Sequence, residues 1–237
     1  MKISRYFINQ NLSVGKLVIK DKDLIHRLFV VLKYKTGEHI KLFNGQDSCD
    51  YLSTLLIISK KECFLEITEK INNDGNAVSK KINVYVAVVK SDFDEMLREM
   101  VEIGANEITP IISERVERKE LNYERLNRII LEACEQSGRS DVPKLNGIAN
   151  LFDFKDFSSE NVYYHTEEVS QNKDVTQKIS RREEEYTNIF IGPEGGWTEG
   201  EIKWFCDNGF SIRTLKTNIL RAKTAAVVCL YDIINLY

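Results

Sequence analysis

Apolar and polar positions alternate with a period near two over much of the first ~70 residues, and from residue 80 the period changes, with short apolar runs alternating with segments of helical spacing. This pattern predicts a β-rich segment followed by an α/β segment. In the first, residues 15–20 suit a strand, and residues 21–32 suit a short helix with Leu24, Leu28 and Val31 at helical spacing. Residues 38–43 alternate and lead into Asn44-Gly45, a strong hairpin turn. Strand material returns at 51–59 and 62–69, which together suggests a small β-barrel. The polar stretch 72–76 reads as a linker, so the expected boundary separates residues 1–72 from 73–237.

Beyond the linker, residues 82–89 form a nearly continuous apolar run, as expected of a strand buried on both faces. A helix over 92–103 follows, closed by Gly104. Residues 108–112, 162–164, 189–191 and 212–215 read as further strands, and 122–136 and 220–236 as helices. Strands alternating with helices argue for an α/β domain with a largely parallel sheet.

Composition agrees with a folded chain, at 43% hydrophobic and 29% charged residues. The longest apolar stretch, 225–231, is far short of the ~20 residues of a membrane span. The start of the chain shows no signal-peptide core, and no C-x-x-C pair is present, so a cytoplasmic protein with reduced cysteines is expected. No cluster of carboxylates or histidines suggests a metal. The net charge of −3 argues against nucleic acid, yet its distribution does not. Residues 1–41 hold nine Lys/Arg against three Asp/Glu, and residues 202–223 hold five against one. Two basic regions in an acidic chain still attract a polyanion, although solvated lysine faces would give the same pattern.

Candidate chemistry sits in three segments. Residues 189–201 run from a strand into the loop Gly192-Pro193-Glu194-Gly195-Gly196 and then a helix, whose start is marked by the capping box Thr198-x-x-Glu201. Gly195 and Gly196 allow positive φ and close approach to a ligand at a strand end. Neither phosphate-binding glycine signature is present, which disfavours a nucleotide- or flavin-binding domain. Residues 215–226 place Ile219-Leu220 before Arg221, a cation where the helix dipole opposes it, with Lys223 close behind. Residues 132–139 end a long helix with Gln136 and Arg139.

The combination Glu132-Ala-Cys-Glu-Gln136-Ser-Gly-Arg139, Gly192-Pro-Glu-Gly-Gly-Trp-Thr-Glu-Gly-Glu201 and Leu220-Arg-Ala-Lys-Thr-Ala225 resembles the ribosomal RNA small subunit methyltransferase E family, which are SPOUT-class enzymes that methylate N3 of a uridine in 16S rRNA. Ser4-Arg5-Tyr6-Phe7 resembles the family's opening, and residues 26–37 resemble its His…Val-Leu-Arg…Gly segment. The resemblance covers essentially the whole chain. It implies a PUA-like, RNA-binding β-barrel, then a trefoil-knotted parallel-sheet domain that binds S-adenosyl-L-methionine and acts as a homodimer on the small ribosomal subunit. Carried over by position, it implies a cofactor pocket of Tyr164, His165, Gly192, Glu194, Gly195, Gly196, Leu215, Ile219 and Leu220. It also implies catalytic Arg221 and Arg139, and RNA contacts from Arg5, His26, Arg27, Lys33, Gln136 and Lys223.

The chain departs from the family pattern at several positions. Lys216 stands for a glycine, Asn218 for an arginine, Lys33 for an arginine, Glu99 for a lysine and Lys223 for a glutamate. The exchange of sign at the last two predicts an ion pair between Glu99 and Lys223. Lys216 and Lys223 are also the features that would suit the alternative, a non-catalytic RNA-binding protein that keeps the fold. A lone histidine at a strand end, as His165 is, is more often structural than functional, and no side-chain general base is evident.

Overall fold

The computed structural model describes residues 3–73, 81–116, 120–157, 159–165, 186–215 and 217–235. Lys216 and most of the predicted linker at 72–76 lie outside the described residues. The chain divides into two compact units, residues 1–77 with 131–142, and residues 78–130 with 143–237.

The first unit is built on a five-stranded sheet of β1 (Arg5–Phe7), β2 (Gly15–Ile19), β3 (His39–Phe43), β4 (Cys49–Ile58) and β5 (Cys63–Asn72), in the order β1-β3-β4-β5-β2. All pairings are antiparallel except β1 with β3. Alternation sends Ile40, Leu42, Tyr51, Leu55, Leu65 and Ile67 into one core, closed by Leu24 and Leu28. Asp21 caps α1 (Lys22–His26) by accepting from the N–H groups of Asp23 and Leu24. The helix then widens into a π-turn, Arg27–Val31. That widening corrects the predicted helical face. A π-turn holds more residues per turn than an α-helix, so Val31 rotates off the core side and is 61% exposed. Asn44-Gly45 does turn the chain, with Gly45 at φ +74°, but within a five-residue connection from β3 to β4 rather than a two-residue hairpin.

The second unit carries a parallel sheet ordered β12-β10-β11-β6-β7-β8, from strands β6 (Lys81–Ala87), β7 (Glu107–Ile112), β8 (Lys144–Leu145), β10 (Glu160–Tyr164), β11 (Tyr186–Ile191) and β12 (Ser211–Arg213). The short β9 (Ala149–Asn150) also pairs β7. Its helices are α2 (Phe93–Ile103), α4 (Glu199–Asp207) and α5 (Ala222–Ile234). The helix α3 (Tyr123–Ser137) begins in this unit, and its residues from 131 on belong to the first. The chain lays down β10 at a distance from β6 and then inserts β11 between them, which brings the C-terminal ends of β10 and β11 side by side.

Aromatic rings fill the core on one side of the sheet. Tyr163 stacks on Phe205 at 4.4 Å, and Phe190 meets both Phe205 and Phe210. At the other end of the strands, Asn83, Asn188 and Asn161 stand in register on three adjacent strands. Asn83 Nδ2 donates to Asn188 Oδ1 at 3.0 Å, and Asn188 Nδ2 to Asn161 Oδ1 at 2.9 Å. A one-residue slip of β11 would break both bonds and bury unpaired amides, so the row favours this register.

Candidate functional site

The ends of β10 and β11, the loop before α4 and the loop before α5 enclose a cavity of about 310 Å³, at the lower end of the range for small-molecule sites. All nine positions expected to hold the cofactor line it: Tyr164 and His165 from the end of β10, Gly192, Glu194, Gly195 and Gly196 from the loop after β11, and Leu215, Ile219 and Leu220 from the loop before α5.

The glycine loop is held from several sides. Thr198 and Glu201 form the predicted capping box, with Glu201 Oε2 accepting from Thr198 N at 2.7 Å and Thr198 Oγ1 from Glu201 N at 3.2 Å. Gly196 N closes a turn on the Pro193 carbonyl at 2.9 Å. Glu194 Oε1 accepts from Lys90 N at 3.1 Å, tying the loop to the chain beyond β6. Trp197 Nε1 donates to the Tyr164 carbonyl at 2.9 Å, and its indole fills the space a Cβ at Gly192 would take. Of the glycine pair, Gly196 alone carries positive φ, +67°. Gly195 is constrained by packing instead, because a Cβ there would lie 3.1 Å from Arg115 Cδ.

Behind the cavity, Tyr164 Oη donates to Asp232 Oδ2 at 2.8 Å and is 3.0 Å from the Cys229 carbonyl. Arg213 Nε donates to the same Asp232 oxygen at 2.8 Å. Burial and the adjacent Asp232 carboxylate push the Tyr164 hydroxyl far above its ordinary range, so it acts as a fixed donor and not as a base. The walls are thus backbone at the glycines and apolar side chains opposite, with Ile219 at the rim, 88% exposed. Such walls suit a flat, partly apolar ligand with polar edges read by main-chain groups. Among the described residues, no lysine lines the cavity to meet a polyphosphate.

The remaining candidates divide. Arg221 is the N-cap residue of α5, exposed, with no capping bond from its side chain. Lys223 is not a free cation for RNA, since its ammonium lies 2.8 Å from Glu95 Oε2 and 3.8 Å from Glu99 Oε1. The Glu99 contact matches the expected pair, but Glu95 is the nearer partner. In the first unit, Arg5 is a correction. Its guanidinium is buried and bidentate on Asp50, at 2.7 and 2.8 Å, with a third bond to the Cys134 carbonyl at 2.8 Å, so it holds the unit together and does not face RNA. Arg139, expected to be catalytic, is bonded to Asp141 at 2.5 Å with its side chain 10% exposed, and it does not line the cavity. Arg27 makes a bidentate pair with Glu135, at 2.6 and 3.1 Å, which draws the π-turn against the 131–142 segment next to exposed Gln136. His26 and Lys33 are exposed, the latter at φ +57°.

One contributor, Arg115, has no signal in the sequence, and a second, Glu201, is legible there only as a helix cap. Arg115 donates to the Gly195 carbonyl, and Glu201 also accepts from Glu114 N at 2.9 Å.

A family model for an RNA methyltransferase domain matches residues 76–233. Ribosomal RNA small subunit methyltransferase E of Rickettsia conorii is 27% identical, over 98% of this chain and 96% of its own. The protein of the same name from Mesomycoplasma hyopneumoniae is 31% identical, over 85% of this chain and 92% of its own. A crystal structure of a ribosomal RNA small subunit methyltransferase E from Neisseria gonorrhoeae, bound to S-adenosyl methionine, aligns with a TM-score of 0.83 at 26% identity, covering 100% of this chain and 98% of that one.

Proposed function

Since the chain belongs to the ribosomal RNA small subunit methyltransferase E family of RNA methyltransferases, we propose that it methylates N3 of a uridine in 16S rRNA with S-adenosylmethionine as donor. The observation that carries this reading is the convergence of nine positions from three separated segments on one cavity at the strand ends. When bound there, S-adenosylmethionine supplies a methyl group made electrophilic by its sulfonium. The residues fit it: Gly192, Gly195 and Gly196 let main chain approach an adenine edge, while Leu215, Ile219 and Leu220 cover its flat face.

The chain's own contribution is binding and charge. A uridine N3 is a nucleophile only after losing its proton, which leaves negative charge on the flanking carbonyl oxygens. Arg221, at the start of α5 and unpaired by any capping bond, is the cation that stabilises it. Residues 1–72 form a PUA-like barrel that carries RNA on His26, Arg27 and Lys33, joined by Gln136 from the 131–142 segment of the same compact unit, and the rest of residues 73–237 form the knotted catalytic domain. The helix α5 buries Ala226, Cys229, Leu230 and Ile233 within the chain and leaves Val227, Val228, Tyr231 and Ile234 partly exposed. A second copy covers that apolar side, giving a cytoplasmic homodimer acting on the small subunit.

The test is transfer of a labelled methyl group to small subunits from a strain lacking the gene, read by mass spectrometry of 16S rRNA nucleosides. The expected product is 3-methyluridine. Binding of S-adenosylmethionine with no transfer would instead select the non-catalytic RNA-binding reading.

A further inference from the structure

The glycine loop before α4 is held from behind by a segment that does not line the cavity. Residues 113–116 follow β7. Glu114 N donates to Glu201 Oε1 at 2.9 Å, while Glu201 Oε2 receives Thr198 N. Beside it, Arg115 Nη1 donates to the Gly195 carbonyl oxygen and lies 3.4 Å from that of Trp197. One nitrogen therefore joins two carbonyls on either side of Gly196, the loop position with positive φ. The arginine stem also packs where a side chain at Gly195 would be.

The peptide planes around Gly196 are the softest coordinates of this loop, because two consecutive glycines place few steric limits on their rotation. The cavity needs those planes in one orientation, since here the main chain is the wall. A side chain that bonds two carbonyls at once selects that orientation before any ligand arrives. We propose that Arg115 is a positioning residue for cofactor binding, which fixes the peptide planes at Gly195 and Trp197 by drawing both carbonyls to its guanidinium. It does not touch the ligand, and its effect is preorganisation of the loop. This rests on the reading of the cavity as the S-adenosylmethionine site.

The experiment is calorimetric titration of S-adenosylmethionine into the full chain and into Arg115→Ala and Arg115→Lys. We expect Kd to rise about tenfold or more in Arg115→Ala, the scale of losing a preorganised loop. Arg115→Lys should fall between, since an ammonium reaches one carbonyl but not both. Amide exchange at Gly196 and Trp197 should quicken in ligand-free Arg115→Ala, and added guanidinium ion should partly restore affinity. KM for the cofactor should rise while kcat at saturation stays within a few-fold. Unchanged Kd in both variants would overturn the proposal, as would a loss that appears in kcat with KM unaltered. A drop in affinity that merely follows global unfolding, with no added exchange in the loop of the folded protein, would also overturn it. Failure of the unaltered protein to bind S-adenosylmethionine would defeat the reading of the cavity and this proposal with it, whereas normal binding by that protein and by both variants would defeat the proposal alone.

Discussion

The ammonium of Lys223 stands 2.8 Å from Glu95 Oε2, joining the first turn of α5 to the first turn of α2. A cation at the start of a helix is opposed by the helix dipole, and the carboxylate offsets that opposition. Glu99, one turn further along α2, lies at 3.8 Å and adds a weaker attraction. In double-mutant cycles read by thermal melting, Lys223→Ala should couple to Glu95→Ala more strongly than to Glu99→Ala. Both couplings should fade near 1 M salt, because the groups are partly exposed. Equal coupling to the two carboxylates would contradict the geometry.

Arg221 follows directly from the loop that walls the cavity, yet it is not among the lining residues. Arg221→Ala should therefore bind S-adenosylmethionine nearly as well as the unaltered protein. Methyl transfer should fall ~100-fold or more, the scale seen when one charge-stabilising donor is lost. Activity surviving within a few-fold would assign the charge to another cation.

The two loop glycines should respond differently. Gly196→Val forces a branched residue to φ +67°, which costs roughly 1–2 kcal/mol before any contact is considered. Gly195→Ala keeps an ordinary φ and asks only the Arg115 stem to give a few tenths of an ångström. Calorimetry should show Gly196→Val losing most cofactor affinity and Gly195→Ala losing only a few-fold. The reverse order would mean that the strain lies at the other glycine.

This pair also shows where sequence reasoning stops. Periodicity located most of the longer strands and helices to within a few residues, because burial on a sheet or helix imposes a repeat that survives in any one sequence. The start of α4 was legible for the same local reason, since Thr198 and Glu201 satisfy each other across three residues. Which of two adjacent glycines takes positive φ is not legible in the sequence, and the loop's partners include Arg115, some 80 residues away in the chain. The burial of Arg5 is equally non-local, resting on Asp50 and Ser140. Val31 misled for a subtler reason, since its spacing is helical but the backbone changes to a π-turn before reaching it.

The partly exposed side of α5 makes the proposed dimer testable at one residue. Tyr231 is 60% exposed, between Val227, Val228 and Ile234. Tyr231→Asp should leave the fold intact by circular dichroism and shift light scattering from dimer to monomer at micromolar concentration, since a buried unpaired charge is costly in an apolar interface. A dimer that persists unchanged would place the contact elsewhere.

The Arg5–Asp50 pair predicts how the protein responds to acid. Burial raises the Asp50 carboxyl pKa, but the Arg5 guanidinium and the Ser140 hydroxyl overcome it and hold the group below the usual carboxylate range. A carboxyl with a lowered folded pKa contributes stability that is fully present above the unfolded value, about 4, and is lost as pH falls through the folded value. Melting temperature should therefore drop as pH is lowered below about 4, and Asp50→Asn should flatten that part of the profile. Asp50→Ala should be far worse at neutral pH, by about 3–5 kcal/mol, because it leaves the Arg5 charge buried without its partner. Arg5 also bonds the Cys134 carbonyl and Ser140, and Ser140 receives Asn73 Nδ2 at 2.6 Å. The damage should therefore spread to the 131–142 segment, seen as faster amide exchange there than in β6 or β11. An Asp50→Ala protein as stable as the original would show that solvent, not Asp50, balances this arginine.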